Sequence, residues 1–368
     1  MPNTLLATDT TRRLDAMIER VAMPSLRMPP RDGMRKPSLT WADLQSHLQI
    51  AAQCRDEAVK TLGGLVDQLT QGEQVDLANA GQIVRRMFAL LQGEPRLASL
   101  LMGRQVMEED YLVLHELNVA WLVMATASWM GIDAQEVRDG GLGALFKDIG
   151  MLQVPDEIRL APRPLSENER MLVEQYPIHT IDMLERCGNL SQTTLLVAFQ
   201  AHERCDGTGY PRSRHAMFIH PLAKLAAVAD VFSAVTCDRP YREGVTPYKG
   251  MTILLEEASR GQLDPALVRV FLDCFTLFPI GSFVRLSDDT VARVVRSNGA
   301  EHTRPVVVPL QSDGQESTLQ VDLGACKGLS VVEALPAERA RKLSGMVNRK
   351  GVEPAPPSHG RGETRAAG

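Results

Sequence analysis

The period of the apolar residues changes once along this chain, and that change limits what it can fold into. Between Trp41 and Phe275 apolar residues recur at helical spacing, whereas beyond Pro279 they alternate. FVRLS (283–287), TVARVVR (290–296), RPVVVPL (304–310), STLQVDL (317–323) and LSVVEAL (329–335) are separated by turn residues, the mark of a small antiparallel β-unit. The expected fold class is therefore mainly α. A helical core spans 107–277, a helical N-terminal region 39–106 precedes it, and the β-unit spans 278–336. Residues 1–38 carry Pro24, Pro29, Pro30, Pro37 and many arginines without a period, and read as a flexible arm. Residues 337–368, rich in proline, glycine and charge from about Gly345, read as a disordered tail.

At 368 residues and 44% hydrophobic content the chain can bury a sizeable core and form two or three folding units. A net charge of −5 without a basic block argues against a nucleic-acid polymer as partner. The longest weakly polar run, Val119 to Ile132, falls short of the roughly 20 apolar residues of a membrane span, and MPNTLLATDTTRRLD lacks a secretory apolar core. Six cysteines without CxxC spacing read as reduced thiols in a cytoplasmic protein.

Four polar residues stand out because they lie on or at the ends of different apolar helices. His115 shares a face with Tyr111, Asn118, Val119 and Leu122 in a helix expected over about 108–130; such a histidine is a ligand or a satisfied core residue. Asp148 follows an apolar turn at the end of a helix opened by Asp133 and Glu136. Ser166 and Glu169 open a helix expected to run to Gly188, kinked at Pro177 so as to aim Tyr176 or His179 inward. His202 and Glu203 end the next helix, and Asp206, Gly207, Gly209, Tyr210 and Pro211 break it into a tight loop. Asp230 sits in the run Leu225 to Val235, where a buried carboxylate is costly unless paired, protonated or metal-bound. A mixed set of imidazole and carboxylate suits iron, manganese or similar metals, which activate water and neutralise phosphate charge in phosphodiester hydrolysis. The N-terminal helical region has no polar cluster of its own and reads as a support or dimerisation element.

YLVLHELNVA, LFKDIGMLQVP, LSENERMLVEQYPIHTIDML, AHERCDGTGYP and VADVFSAVTCDRPYREG occur in an order and spacing that resemble the HD-GYP family of HD metal-dependent phosphohydrolases, over about 107–275. FPIGSFVRLSDDTVARVV resembles the β-extension many members carry. The resemblance implies a helical HD-domain core, a cluster of two or three iron or manganese ions, and hydrolysis of the bacterial second messenger cyclic di-GMP. It also implies that the GYP loop serves nucleotide turnover and contact with GGDEF-domain proteins.

Carried over by position, His115, Asp148, His202 and Asp230 are the implied metal ligands, with Asp148 and Asp230 at the catalytic centre. Glu203, Asp206, Gly207, Gly209, Tyr210, Pro211, Arg239 and Tyr241 form the implied substrate or partner loop. Four positions depart from the family pattern: Lys147 and Tyr176 stand where it has histidines, Met151 where it has a lysine, and Ala201 where it has the first of paired histidines. Ser233 replaces an aspartate often found there. These losses make a two-metal site hard to build, leaving one ion or none. An ammonium at Lys147 could instead satisfy Asp148 or Asp230 as an internal ion pair. His179 is either a substitute ligand or a surface histidine.

Two readings follow. In the preferred one the chain is a degenerate HD-GYP signalling protein that binds cyclic di-GMP, a related nucleotide or protein partners with little or no hydrolysis. In the alternative it is a working phosphodiesterase using His115, Asp148, His202 and Asp230. A blander third has the core as scaffold, with activity in the N-terminal helices.

Overall fold

The computed structural model describes residues 41–71, 73, 75–92, 95–98, 111–238, 243–298, 301–311, 315–326 and 328–347. The expected arm (1–38), Arg239 and Tyr241 lie outside the described residues. The N-terminal region forms α1 (Trp41–Thr70) and α2 (Ala78–Leu91). Leu62, Leu65 and Leu69 of α1 and Met87 and Leu91 of α2 are buried in the same hydrophobic cluster as Trp121, so these apolar faces are used in supporting the core.

At the centre lies α3 (Tyr111–Trp129), whose residues Leu117 to Thr126 are all buried. A helix that is apolar all round needs neighbours on every side. These include α1, α2, α4 (Ala134–Phe146) and a second apolar helix described below. Asp133 opens α4 by accepting the Gln135 N–H at 2.8 Å. After α4 a 3₁₀ turn (Ile149–Gln153) leads to the single-turn α5 (Asp156–Arg159).

The expected kinked helix from Ser166 to Gly188 is instead two helices, α6 (Glu167–Val173) and α7 (Tyr176–Arg186). Ser166 and Glu169 make the reciprocal capping box that starts α6. Pro177 ends that helix because it has no N–H to donate and would crowd the carbonyl one turn back. At the first turn of α7 neither matters. α8 (Gln192–Gln200) and α9 (Pro221–Thr236), the second apolar helix, follow. Then come α10 (Pro247–Ser259) and α11 (Pro265–Phe275), capped by Thr246 and Asp264 with proline next.

The β-unit is one antiparallel sheet of β1 (Phe283–Leu286), β2 (Val291–Arg296), β3 (Val306–Pro309), β4 (Val321–Asp322) and β5 (Val331–Leu335), in the order β4-β3-β2-β1-β5. Val284, Leu286, Ala292, Val294 and Val307 cluster with Phe278 and Leu323. The alternate residues Phe283, Val291 and Leu335 pack with Ala340. Ala340 belongs to α12 (Ala337–Val347), which corrects the expected disordered tail over its first eleven residues. The segment AERARKLSGMV is rich in good helix formers, and Ala337, Ala340 and Leu343 give it a stripe that covers the sheet.

Candidate functional site

Three local devices bring the polar residues together. Lys147 caps the C-terminus of α4, and Asp148 follows it into the 3₁₀ turn. That turn lies against the start of α7 because residue 150 is glycine: a Cβ there would stand 2.1 Å from the Tyr176 carbonyl oxygen. Thr180 Oγ1 then ties the turn down, accepting from Gly150 N–H at 3.0 Å and donating to the Lys147 carbonyl at 3.1 Å.

The Lys147 side chain is fully buried, and its ammonium meets three carboxylates. Nζ lies 2.5 Å from Asp148 Oδ2, 2.9 Å from Asp230 Oδ1 and 3.1 Å from Glu116 Oε1. Burial alone would drive the lysine pKa down, but the charges of Asp148, Asp230 and Glu116 outweigh it and hold it well above its ordinary value. Burial would likewise raise both aspartates. Lys147 is the largest opposing charge for each, joined by His202 at Asp148 and His115 at Asp230, and both carboxyls lie well below the usual range. Glu116 goes the other way, pushed well up by burial and then by the Asp148 charge, with Lys147 opposing. A side-chain hydrogen bond with Asp148 adds to the rise, and Oε2 is buried.

Both histidines join this network. His115 Nε2 is 2.9 Å from Asp230 Oδ1, and its Nδ1 is 3.2 Å from Ser233 Oγ. His202 Nε2 is 2.7 Å from Asp148 Oδ1. Tyr176 donates its hydroxyl proton to Asp148 Oδ1 at 2.7 Å, and the Tyr176 hydroxyl oxygen is itself 2.6 Å from His202 Nε2. The GYP loop closes over them. Tyr210 stacks on the His202 ring with centroids 5.1 Å apart and planes 3° from parallel, and meets Tyr176 edge-on at 5.9 Å.

The loop is fixed by its own backbone. The Tyr210 N–H donates to the His202 carbonyl at 3.1 Å. A Cβ at residue 209 would lie 2.3 Å from Arg204 N, so glycine is required for that approach. Asp206 Oδ1 accepts the Thr208 N–H at 3.0 Å, and Gly207 and the cis-bonded Pro211 complete the turn. The two carboxylate oxygens of Glu203 accept the Arg212 and Arg214 N–H groups, each at 2.8 Å. Glu203 is thus buried and committed to holding the loop.

The structure brings together His115, Asp148, His202 and Asp230, with Lys147 and Tyr176 among them. Ala201 is a buried C-cap of α8 in the apolar core, Met151 lies half-buried in the 3₁₀ turn, and His179 is exposed on α7. Glu116 and Ser233 are the participants that sequence reasoning missed as parts of the network. The rule that singled out Asp230, a carboxylate in an apolar helix, applies equally to Glu116.

One donor atom each from His115, Asp148 and Asp230 lies within 4.8 Å of the others, a candidate metal site. The residues as they stand do not fit a metal there, because the Lys147 ammonium already sits between the two carboxylates that would bridge to it. Tyr176 further engages the Asp148 oxygen that bonds His202.

The HD domain family matches residues 102–267. Over 299 residues the chain is 30% identical to a Pseudomonas aeruginosa protein named cyclic di-GMP phosphodiesterase PA4108, covering 81% of this chain and 71% of that one. It is 36% identical over 157 residues to the cyclic di-GMP phosphodiesterase response regulator RpfG of Xanthomonas campestris pv. campestris, covering 42% of this chain and 40% of that one. It is 31% identical over 165 residues to the 3'3'-cGAMP-specific phosphodiesterase 1 of Vibrio cholerae, covering 45% of this chain and 38% of that one. Among the described residues no helix is long and apolar enough to cross a membrane.

Proposed function

Since this chain belongs to the HD-GYP family of HD-domain proteins, we propose that it is a cyclic di-GMP signalling protein acting by binding, with little or no hydrolysis. The observation that carries this reading is the fully buried Lys147 ammonium, 2.5 Å from Asp148 and 2.9 Å from Asp230. Hydrolysis of a phosphodiester gains most from two cations that stabilise the attacking and leaving oxygens together. Here one lysine supplies a single fixed charge with no open coordination position. The relatives' named substrates support a cyclic dinucleotide as ligand, cyclic di-GMP first and 3'3'-cGAMP as the related nucleotide. The loop from Asp206 to Pro211 is the face we assign to a GGDEF-domain partner, and a homodimer is the form we assign to the chain.

The alternative is a phosphodiesterase with one iron or manganese ion held by His115, Asp148, His202 and Asp230, favoured by the short separation of the donor atoms of His115, Asp148 and Asp230. Metal content and cyclic di-GMP turnover, measured on one sample purified without chelator, separate the two. We expect bound cyclic dinucleotide by calorimetry, no stoichiometric metal and no product. Turnover that accompanies bound iron or manganese and disappears in Asp230→Ala would establish the alternative.

A further inference from the structure

The acids that meet at Lys147 are one more than the sequence constellation contains. Glu116 comes from α3, Asp148 from the turn after α4 and Asp230 from α9, and each presents an oxygen within 3.1 Å of the same nitrogen. The ammonium donates to Asp148 Oδ2 and Glu116 Oε1 and pairs as an ion with Asp230 Oδ1. His115 Nε2 stands at the edge of this group, 2.9 Å from the Asp230 oxygen that Lys147 also contacts. Three converging carboxylates and an imidazole are an oxygen-rich set of the kind that hard divalent cations take. The chain fills that set with a cation of its own.

We propose that this cluster is a cation site whose resident cation is the Lys147 ammonium, that Glu116 is its third carboxylate, and that taking the ammonium away admits one divalent cation on Glu116, Asp148, Asp230 and His115. The proposal rests on the reading that Lys147 stands in the metal's place. It adds that the surrounding acids remain competent to hold a metal, through a residue outside the implied ligand set. Glu116 supports the assignment by its placement: its side chain is buried, and its Oε1 accepts from the shared nitrogen at 3.1 Å.

The test uses Mn²⁺ alone, on the full chain. Wild type, Lys147→Ala and Lys147→Ala/Glu116→Gln are equilibrated with Mn²⁺, freed of excess by gel filtration, and assayed for bound manganese and for Tm with and without the ion. We expect no stoichiometric manganese and no Tm shift in wild type. Lys147→Ala should hold about one ion per chain and melt higher with Mn²⁺, as for any ligand that binds only the folded state. Adding Glu116→Gln should weaken that binding by roughly tenfold or more, a step of about 1.4 kcal/mol. Lys147→Ala that folds and takes no manganese overturns the proposal. So does wild type that holds one ion with Lys147 intact. Unchanged affinity in the double variant overturns the role of Glu116. Should Lys147→Ala fail to fold in metal-free buffer, recovery of the fold on refolding with Mn²⁺ supports the proposal and failure there overturns it. Cyclic di-GMP turnover is read on separate aliquots. A wild type that hydrolyses, yet takes manganese only after Lys147 is replaced, refutes the binding reading and leaves this one standing.

Discussion

Replacing Lys147 by methionine keeps nearly the same length of side chain and removes its charge. Asp148 and Asp230 are then left buried, their side chains 11% and 19% exposed, without the ammonium at 2.5 and 2.9 Å. Removing one partner from a buried ion pair costs about 3–5 kcal/mol, because the other charge stays behind uncompensated. With about 2–4 °C per kcal/mol for a domain of this size class, Tm at pH 7.5 should fall by about 6–20 °C. The pH dependence has a definite sign. In wild type the two carboxyls lie below the usual aspartate range, so their contribution is complete above the unfolded pKa of about 3.9 and is lost only as pH falls through the lower folded values. In Lys147→Met the main lowering charge is gone and burial pushes both carboxyls up. That variant is penalised above pH 4 and recovers as it takes up protons. The gap between the two proteins should therefore narrow from pH 7.5 to pH 5 in thermal or urea unfolding. A difference under about 1 kcal/mol at pH 7.5, or a gap that widens on acidification, would refute the view that Lys147 is what makes these acids tolerable.

Two further changes probe the frame around the cluster. Glu203→Ala removes the acceptor of the Arg212 and Arg214 N–H groups; hydrogen bonds to charged groups contribute about 1.5–3 kcal/mol each, so stability should fall by at least about 1.5 kcal/mol. Trypsin should also cut at Arg212 or Arg214 sooner than in wild type, and an unchanged digestion pattern would count against the staple. Gly150→Ala puts a methyl group 2.1 Å from the Tyr176 carbonyl oxygen, too close to accommodate without moving α7 from the turn. We expect loss of about 3 kcal/mol or more, beyond the usual range for single substitutions; denaturant unfolding with an unshifted midpoint would contradict it.

Much of this arrangement was legible because each element announced itself locally. Ser166, Thr246 and Asp264 are caps that act within four residues of themselves, and the structure uses all three as starts. The alternation after Pro279 survives because register follows the side-chain period, which puts Phe283 and Val284 on opposite faces. His115, Asp148, His202 and Asp230 stood out as polar groups against apolar helices, and they do converge. Glu116 meets the same criterion as Asp230, a carboxylate in an apolar helix, but its partner lies 31 residues away, beyond any local pattern. Ser233 counted as a lost acid, while its hydroxyl supports the His115 ring. Glu203 reads in sequence as part of the substrate or partner loop, yet its amide partners lie nine and eleven residues on, a distance no helical or turn rule covers. The α12 helix was missed for a different reason: a short polar helix is recognised by what it covers, and the covered surface belongs to β1, β2 and β5.

Arg96 sits in a short 3₁₀ turn (Pro95–Leu97) between the N-terminal helices and α3. Its guanidinium lies 5.6 Å from the centroid of the Trp129 ring, and Nη1 donates to Ser297 Oγ at 2.6 Å, just beyond β2. One side chain therefore bridges the N-terminal helical region, the HD core and the sheet, across 201 positions of sequence. Cutting the chain at the boundaries its periodicity suggests would split this contact either way. The parts of this molecule are modules in the order of their residues but a single joint in space, and strain applied to one flank has a short covalent and electrostatic path to the other.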